Sequence, residues 1–179
     1  METKILVAYA SSYGSTQEIA EVVAETLRGQ GLAVDLRLLR NVPSLEGYQA
    51  VVMGAPLYMF HWHKDAFRFL SRHRKALTGG LPLAIFAGGP MSSGNEEEWQ
   101  GVRTQIDQEL AKVPWLKPAS VQLVGGRFDP TKLRLPYSLL PALRQTPAAD
   151  LRDWAAIRAW AGSLPTSMRI TVQAAQPAK

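Results

Sequence analysis

The 179-residue chain contains no cysteine. Disulfides, thiolate metal sites, a cysteine nucleophile and iron–sulfur clusters are therefore excluded. Histidine is scarce, at 3 residues. No apolar stretch approaches the ~20 residues of a membrane-spanning helix. The N-terminus has Glu2 before the short apolar run Ile5–Ala10, not a basic segment before a long apolar core. The expectation is a cytoplasmic protein. The first loop holds neither the Gly-Lys-Ser/Thr ending of a triphosphate-binding loop nor a G-x-G-x-x-G dinucleotide pattern.

Charge is present but unevenly spread. Residues 1–124 carry 12 Lys/Arg against 12 Asp/Glu, whereas residues 125–179 carry 8 against 3, which is the whole net excess of +5. A local basic cluster, Lys64, Arg68, Arg72, Arg74 and Lys75, is opposed nearby only by Asp65. Such clusters read as a solvated face or as attraction to an acidic partner, ligand or lipid surface. No nucleic-acid recognition module accompanies them, so no nucleic-acid partner is expected.

Continuous apolar runs at Lys4–Tyr9, Ala50–Gly54, Pro82–Ala87 and Ser120–Gly125 read as strands of a sheet covered on both faces. Val34, Leu36 and Leu38 alternate with charged residues, as on an edge strand. Helical spacing links Ile19, Val22, Val23 and Leu27, then Phe67, Leu70 and Leu77 within Asp65–Leu77. It recurs at Trp99, Val102, Ile106, Leu110 and Val113, and again at Trp154, Ile157 and Trp160 within Asp150–Leu164. Strands alternating with helices imply an α/β fold, a three-layer, doubly wound, five-stranded parallel sheet. One domain is expected over residues 1–164, with a flexible tail over 165–179.

Ligands of such sheets sit beyond the carboxyl ends of the strands. Three loops qualify: residues 10–16, 55–63 and 88–95. The first follows a strand and opens a helix, so backbone N–H groups and the helix dipole converge on one spot. Ser11, Ser12, Ser15 and Thr16 add hydroxyls, and Gly14 allows close backbone approach. That is a phosphate cradle made without a cation, or simply a capped helix after a tight turn.

Here the chain resembles the flavodoxin family, whose phosphate loop reads Thr/Ser-x-Thr-Gly-x-Thr directly after the first strand. This chain reads Ser11-Ser12-Tyr13-Gly14-Ser15-Thr16, with Tyr13 replacing a Thr. Within that family it looks like the flavodoxin-type, menaquinone-dependent protoporphyrinogen oxidases. The likeness rests on Gly14–Ala20, on Gly54–Tyr58 running to His61–His63, and on an insert from Arg127 before the terminal helix. The resemblance implies strand order 2-1-3-4-5 and FMN as cofactor. Its phosphate would lie in the first loop, and a second flavin loop would run through Pro56, Leu57, Tyr58, Met59, Phe60 and His61. Gly88, Gly89 and Pro90 would begin a third.

Tyr58, Phe60 and Trp62 are candidate walls for the flavin ring, with at least one expected to pack into the core instead. Typical flavodoxins cover one ring face with a Tyr from the third loop. Residues Gly88–Asn95 contain no aromatic side chain, which would leave room for a planar substrate or quinone. His61 and His63 read as polar surface groups, as metal ligands, or as a proton donor or carboxylate partner beside the flavin.

The insert, residues 127–146, mixes Lys132 and Arg134 with Leu133, Leu135, Tyr137, Leu139, Leu140 and Leu143. It reads as a cap on the sheet or as a basic, amphipathic surface for the inner face of a membrane or a hydrophobic partner. Two function classes follow: an FMN oxidoreductase that oxidises a bulky substrate such as protoporphyrinogen with a quinone acceptor, and a flavodoxin-type carrier that docks on redox proteins. The basic charge and the third loop both depart from ordinary carriers.

Overall fold

The structure, a computed structural model, describes residues 4–58, 61–89 and 94–170. Five parallel strands form the central sheet: β1 (Lys4–Tyr9), β2 (Ala33–Leu38), β3 (Ala50–Ala55), β6 (Leu83–Gly88) and β7 (Ser120–Val124). Their spatial order is β2-β1-β3-β6-β7. Counted among themselves that is 2-1-3-4-5, so the expected fold is observed. Two small antiparallel pairs flank the sheet's carboxyl edge: β4 (Leu57–Tyr58) with β5 (His61–Trp62), and β8 (Arg127–Phe128) with β9 (Ala149–Asp150).

Side chains alternate across the sheet because β-strands have period two. Ile5, Val7, Val52, Ala84 and Phe86 face one layer, formed by α1 (Ser15–Gly29) and α6 (Trp154–Ser167). Leu6, Ala8, Val51, Met53, Ile85 and Ala87 face the other, formed by α2 (Lys64–Arg72) and α4 (Glu96–Ala111). The middle strands are apolar throughout because both faces are covered. The edge strand β2 keeps Asp35, which accepts from the Tyr48 hydroxyl at 2.6 Å and pairs with Lys4 at 3.0 Å.

Two expectations are corrected. The helix expected over Asp65–Leu77 is broken in two, with α3 running over Arg74–Thr78. His73 sits between the two pieces and is buried. Its Nε2 reaches the Val42 carbonyl at 3.2 Å, and its ring packs 4.7 Å from Phe69. That demand turns the backbone at His73. Residues 165–167, expected in a flexible tail, lie instead in α6, which extends to Ser167 and buries Pro165. Met168 follows into the core. Apolar burial overrides the missing N–H of the proline. The rest of that tail, residues 171–179, lies outside the described residues.

Candidate functional site

The carboxyl ends of β1, β3, β6 and β7 all open at one edge of the sheet, as parallel strands require. A cavity of about 480 Å³ lies there, within the usual range of cofactor and ligand sites. Four chain segments wall it: the β1–α1 loop, the β4–β5 hairpin, the end of β6, and the insert.

From the first loop come Ser12, Tyr13, Ser15 and Thr16. Gly14 is the residue before α1, with φ 89°, a conformation open to glycine and strained for most other residues. No side chain caps this helix. The N-cap residue is Gly14 itself, and the first-turn residues Ser15 and Thr16 line the cavity. Ser11 works inside the turn, where its Oγ accepts from the Gly14 N–H at 2.8 Å. Thr16 is 7% exposed.

From the hairpin come Pro56, Leu57, His61, Trp62 and His63. Trp62 is a core residue, 3% exposed, edge-on to Phe67 at 5.9 Å. It is thus packed against α2 while still lining the cavity, the packing expected of at least one of the three candidate walls. The expectations for the Tyr58 side chain and for Met59, Phe60 and Pro90 lie outside the described residues. Gly88 and Gly89 line the cavity. A Cβ on Gly89 would stand 2.4 Å from the Val124 carbonyl oxygen, so glycine there lets two strand ends converge.

The two histidines differ in their bonding. His63 Nδ1 accepts from the Asp65 N–H at 3.2 Å and caps α2. The ring hydrogen is thereby assigned to Nε2, which lies 3.5 Å from Ser12 Oγ. Burial holds the His63 pKa below its ordinary value, with Asp65 pulling the other way. His61 Nδ1 lies 3.3 Å from Oε1 of Glu109, a buried carboxylate on α4. Burial pushes the Glu109 carboxyl upward, but the Lys112 and His61 hydrogen bonds outweigh it and hold the pKa below the usual carboxylate value. Among the described residues no group of three or more His, Cys, Asp or Glu is placed to hold a metal.

The fourth wall is the insert. Arg127, Phe128, Asp129, Lys132, Leu133, Tyr137 and Leu143 all reach the cavity. Its root is tied to the phosphate-loop helix. Glu18 in the first turn of α1 accepts from Arg127 at 3.3 Å and from Arg152 at 2.5 Å. Arg152 also forks onto Asp150 at 2.8 and 2.6 Å and lies 4.6 Å from the Trp154 ring. Sequence reasoning missed this clamp and missed Lys64 at the cavity. The only available signal was the excess of basic residues at the insert.

A left-handed glycine before a helix N-terminus and a cofactor-sized cavity at the carboxyl edge of a doubly wound sheet suit a phosphate-bearing cofactor such as the FMN that the flavodoxin likeness implies. The residues fit that group: the β1–α1 loop would hold its phosphate, and the cavity would hold its ring. A family model described as a flavodoxin domain matches residues 6–136, and the chain belongs to this family. The protoporphyrinogen IX dehydrogenase [quinone] of Escherichia coli K12 is 29% identical over 125 residues, spanning 69% of this chain and 68% of the relative. Flavodoxin 1 from Bacillus cereus superposes with TM-score 0.57 at 15% identity, covering 96% of this chain and 100% of its own. A Streptococcus pneumonia flavodoxin gives 0.56 at 17%, covering 92% and 99%. These structures show the shared fold.

Proposed function

We propose that this chain is an FMN-dependent oxidoreductase that oxidises a bulky substrate of the protoporphyrinogen type and passes the electrons to a quinone. The observation that carries the reading is the fourth wall. An electron carrier needs its flavin edge near the surface, whereas here Phe128, Leu133, Tyr137 and Leu143 extend an apolar wall beyond the phosphate loop. Such a wall excludes water and offers a flat ring something to lie against. Arg127 and Lys132 stand in the same wall, and they would hold acidic substituents of the substrate as charge-assisted partners. FMN supplies the two-electron chemistry. The similarity to the E. coli dehydrogenase, whose name gives both substrate and acceptor, supports this choice of substrate class.

The outer side of the insert supports contact with a membrane surface, where a quinone resides. Leu135 and Leu139 are 72% and 70% exposed, and Leu140 is exposed as well, beside Lys132, Arg134 and Arg144. Apolar tips ringed by cations suit an anionic lipid interface.

The test is to load the protein with FMN and mix it anaerobically with protoporphyrinogen IX and a menaquinone analogue, following porphyrin fluorescence. A rapid, FMN-dependent rise is expected. No rise, with the flavin still reducible by a generic flavodoxin reductase, would overturn the oxidase reading in favour of an electron carrier.

A further inference from the structure

Glu109 is an acid in an apolar place. It is 2% exposed on α4, near the buried Ile106 and Val113. Its Oε1 accepts from Lys112 Nζ at 2.6 Å and faces His61 Nδ1 at 3.3 Å, while Oε2 is buried without a partner. A carboxylate so placed destabilises the fold unless its remaining contacts are good. Of these two partners His61 is the one that lines the cavity, with its side chain 72% exposed. Among the described residues its Nε2 has no hydrogen-bond partner.

A carboxylate at Nδ1 draws the ring hydrogen there and leaves Nε2 as a bare acceptor. His63 has the opposite arrangement, because its Nδ1 receives the Asp65 N–H. Protonating His63 at Nδ1 would break the α2 cap, whereas protonating His61 at Nε2 breaks nothing. The charged groups about His61 are Glu109 and Lys112 from α4 and Lys64 at the start of α2. Across the cavity stand Arg127, Asp129 and Lys132. Glu109 makes the direct contact.

We infer that His61 is the proton acceptor of the cavity, and that Glu109 is the positioning residue that fixes its tautomer and stabilises the imidazolium. The inference rests on the oxidoreductase reading above. The substrate loses two hydrogens. One leaves with its bonding electron pair to the bound FMN, which is reduced as the substrate is oxidised. The other leaves as a proton to His61 Nε2 and passes to water at the exposed ring edge.

The experiment uses the FMN-loaded protein and its His61→Gln and Glu109→Gln variants. Imidazole ¹⁵N spectra of the wild type should show His61 with hydrogen on Nδ1, and Glu109→Gln should weaken that tautomer preference. In anaerobic single turnover with protoporphyrinogen IX at saturating FMN, His61→Gln should slow flavin reduction about a hundredfold or more. Added imidazole should restore part of the rate. Hydrogen on Nε2 in the wild type, or a His61→Gln variant that keeps the wild-type rate, overturns the proposal. Should Glu109→Gln fail to fold, the wild-type tautomer and the His61→Gln arm decide. A wild-type protein that binds FMN yet is never reduced refutes the oxidoreductase reading and this proposal together. A wild-type reaction that His61→Gln leaves intact refutes this proposal alone.

Discussion

Replacing Arg152 with methionine tests the clamp between the insert and the phosphate-loop helix. Methionine keeps much of the stem packing and removes only the guanidinium. That group is 3% exposed, and it serves Glu18 once and Asp150 through a bidentate fork. Removing one member of a buried ion pair costs about 3–5 kcal/mol. Here the two carboxylates are 42% and 45% exposed and regain water, which lowers the expectation to roughly 2–3 kcal/mol. For a chain of this length each kcal/mol lowers Tm by about 2–4 °C, so a fall of roughly 5–10 °C is expected. FMN affinity should fall as well, because Glu18 then turns a less neutralised charge toward the phosphate. At a separation of about 10 Å, effective dielectrics of about 80 and 20 give roughly 0.4 and 1.7 kcal/mol per phosphate charge, about a two- to twentyfold weaker Kd. Adding Glu18→Gln should restore the affinity but not the Tm. Calorimetry and flavin-fluorescence titration of the single and double variants read both quantities. An unchanged Tm in Arg152→Met, or an affinity loss that Glu18→Gln leaves in place, refutes the reasoning.

Four further outcomes are expected. Ser11→Ala with Thr16→Ala should weaken FMN binding tenfold or more by titration, since one oxygen shapes the turn at Gly14 and the other lines the cavity. Gly125→Ala would bring a Cβ to 1.7 Å from the Leu151 carbonyl oxygen. Urea unfolding should show a loss of about 3 kcal/mol or more, because the opposing atom is backbone and cannot swing away. Burial holds the pKa of His73 below its ordinary value near 6.5, and His63 is shifted the same way. The unfolded chain therefore binds more protons below that value, so urea midpoints should fall as pH drops from about 7 to 5. Co-sedimentation with anionic vesicles should occur at low salt, fade as salt rises, and drop when Leu135 and Leu139 are both changed to Glu.

The sheet was legible because each central strand is apolar on both faces, and the apolar period of α1 and α6 names the faces they bury. The β1–α1 loop was legible as a candidate phosphate site because its hydroxyls and glycine sit between a strand and a helix. The break at His73 was not, since it depends on a carbonyl 31 residues away. Neither was Glu109, one residue before Leu110 on the helical stripe and by type a surface group. Only the fold brings His61 and Lys112 to it. The insert's closure is hidden for a related reason. Strands β8 and β9 have two residues each, too few for alternation to show, and the Glu18 clamp joins residues 109 and 134 positions apart.

The most direct measurement for the account is a crystal structure of the chain with FMN bound. The account predicts the phosphate at the first turn of α1 among Ser12, Ser15 and Thr16, and the ring in the cavity between the β4–β5 hairpin and the insert wall of Phe128, Leu133 and Tyr137. A flavin bound elsewhere, or a ring lying outside a cavity filled by the insert's own side chains, would contradict it.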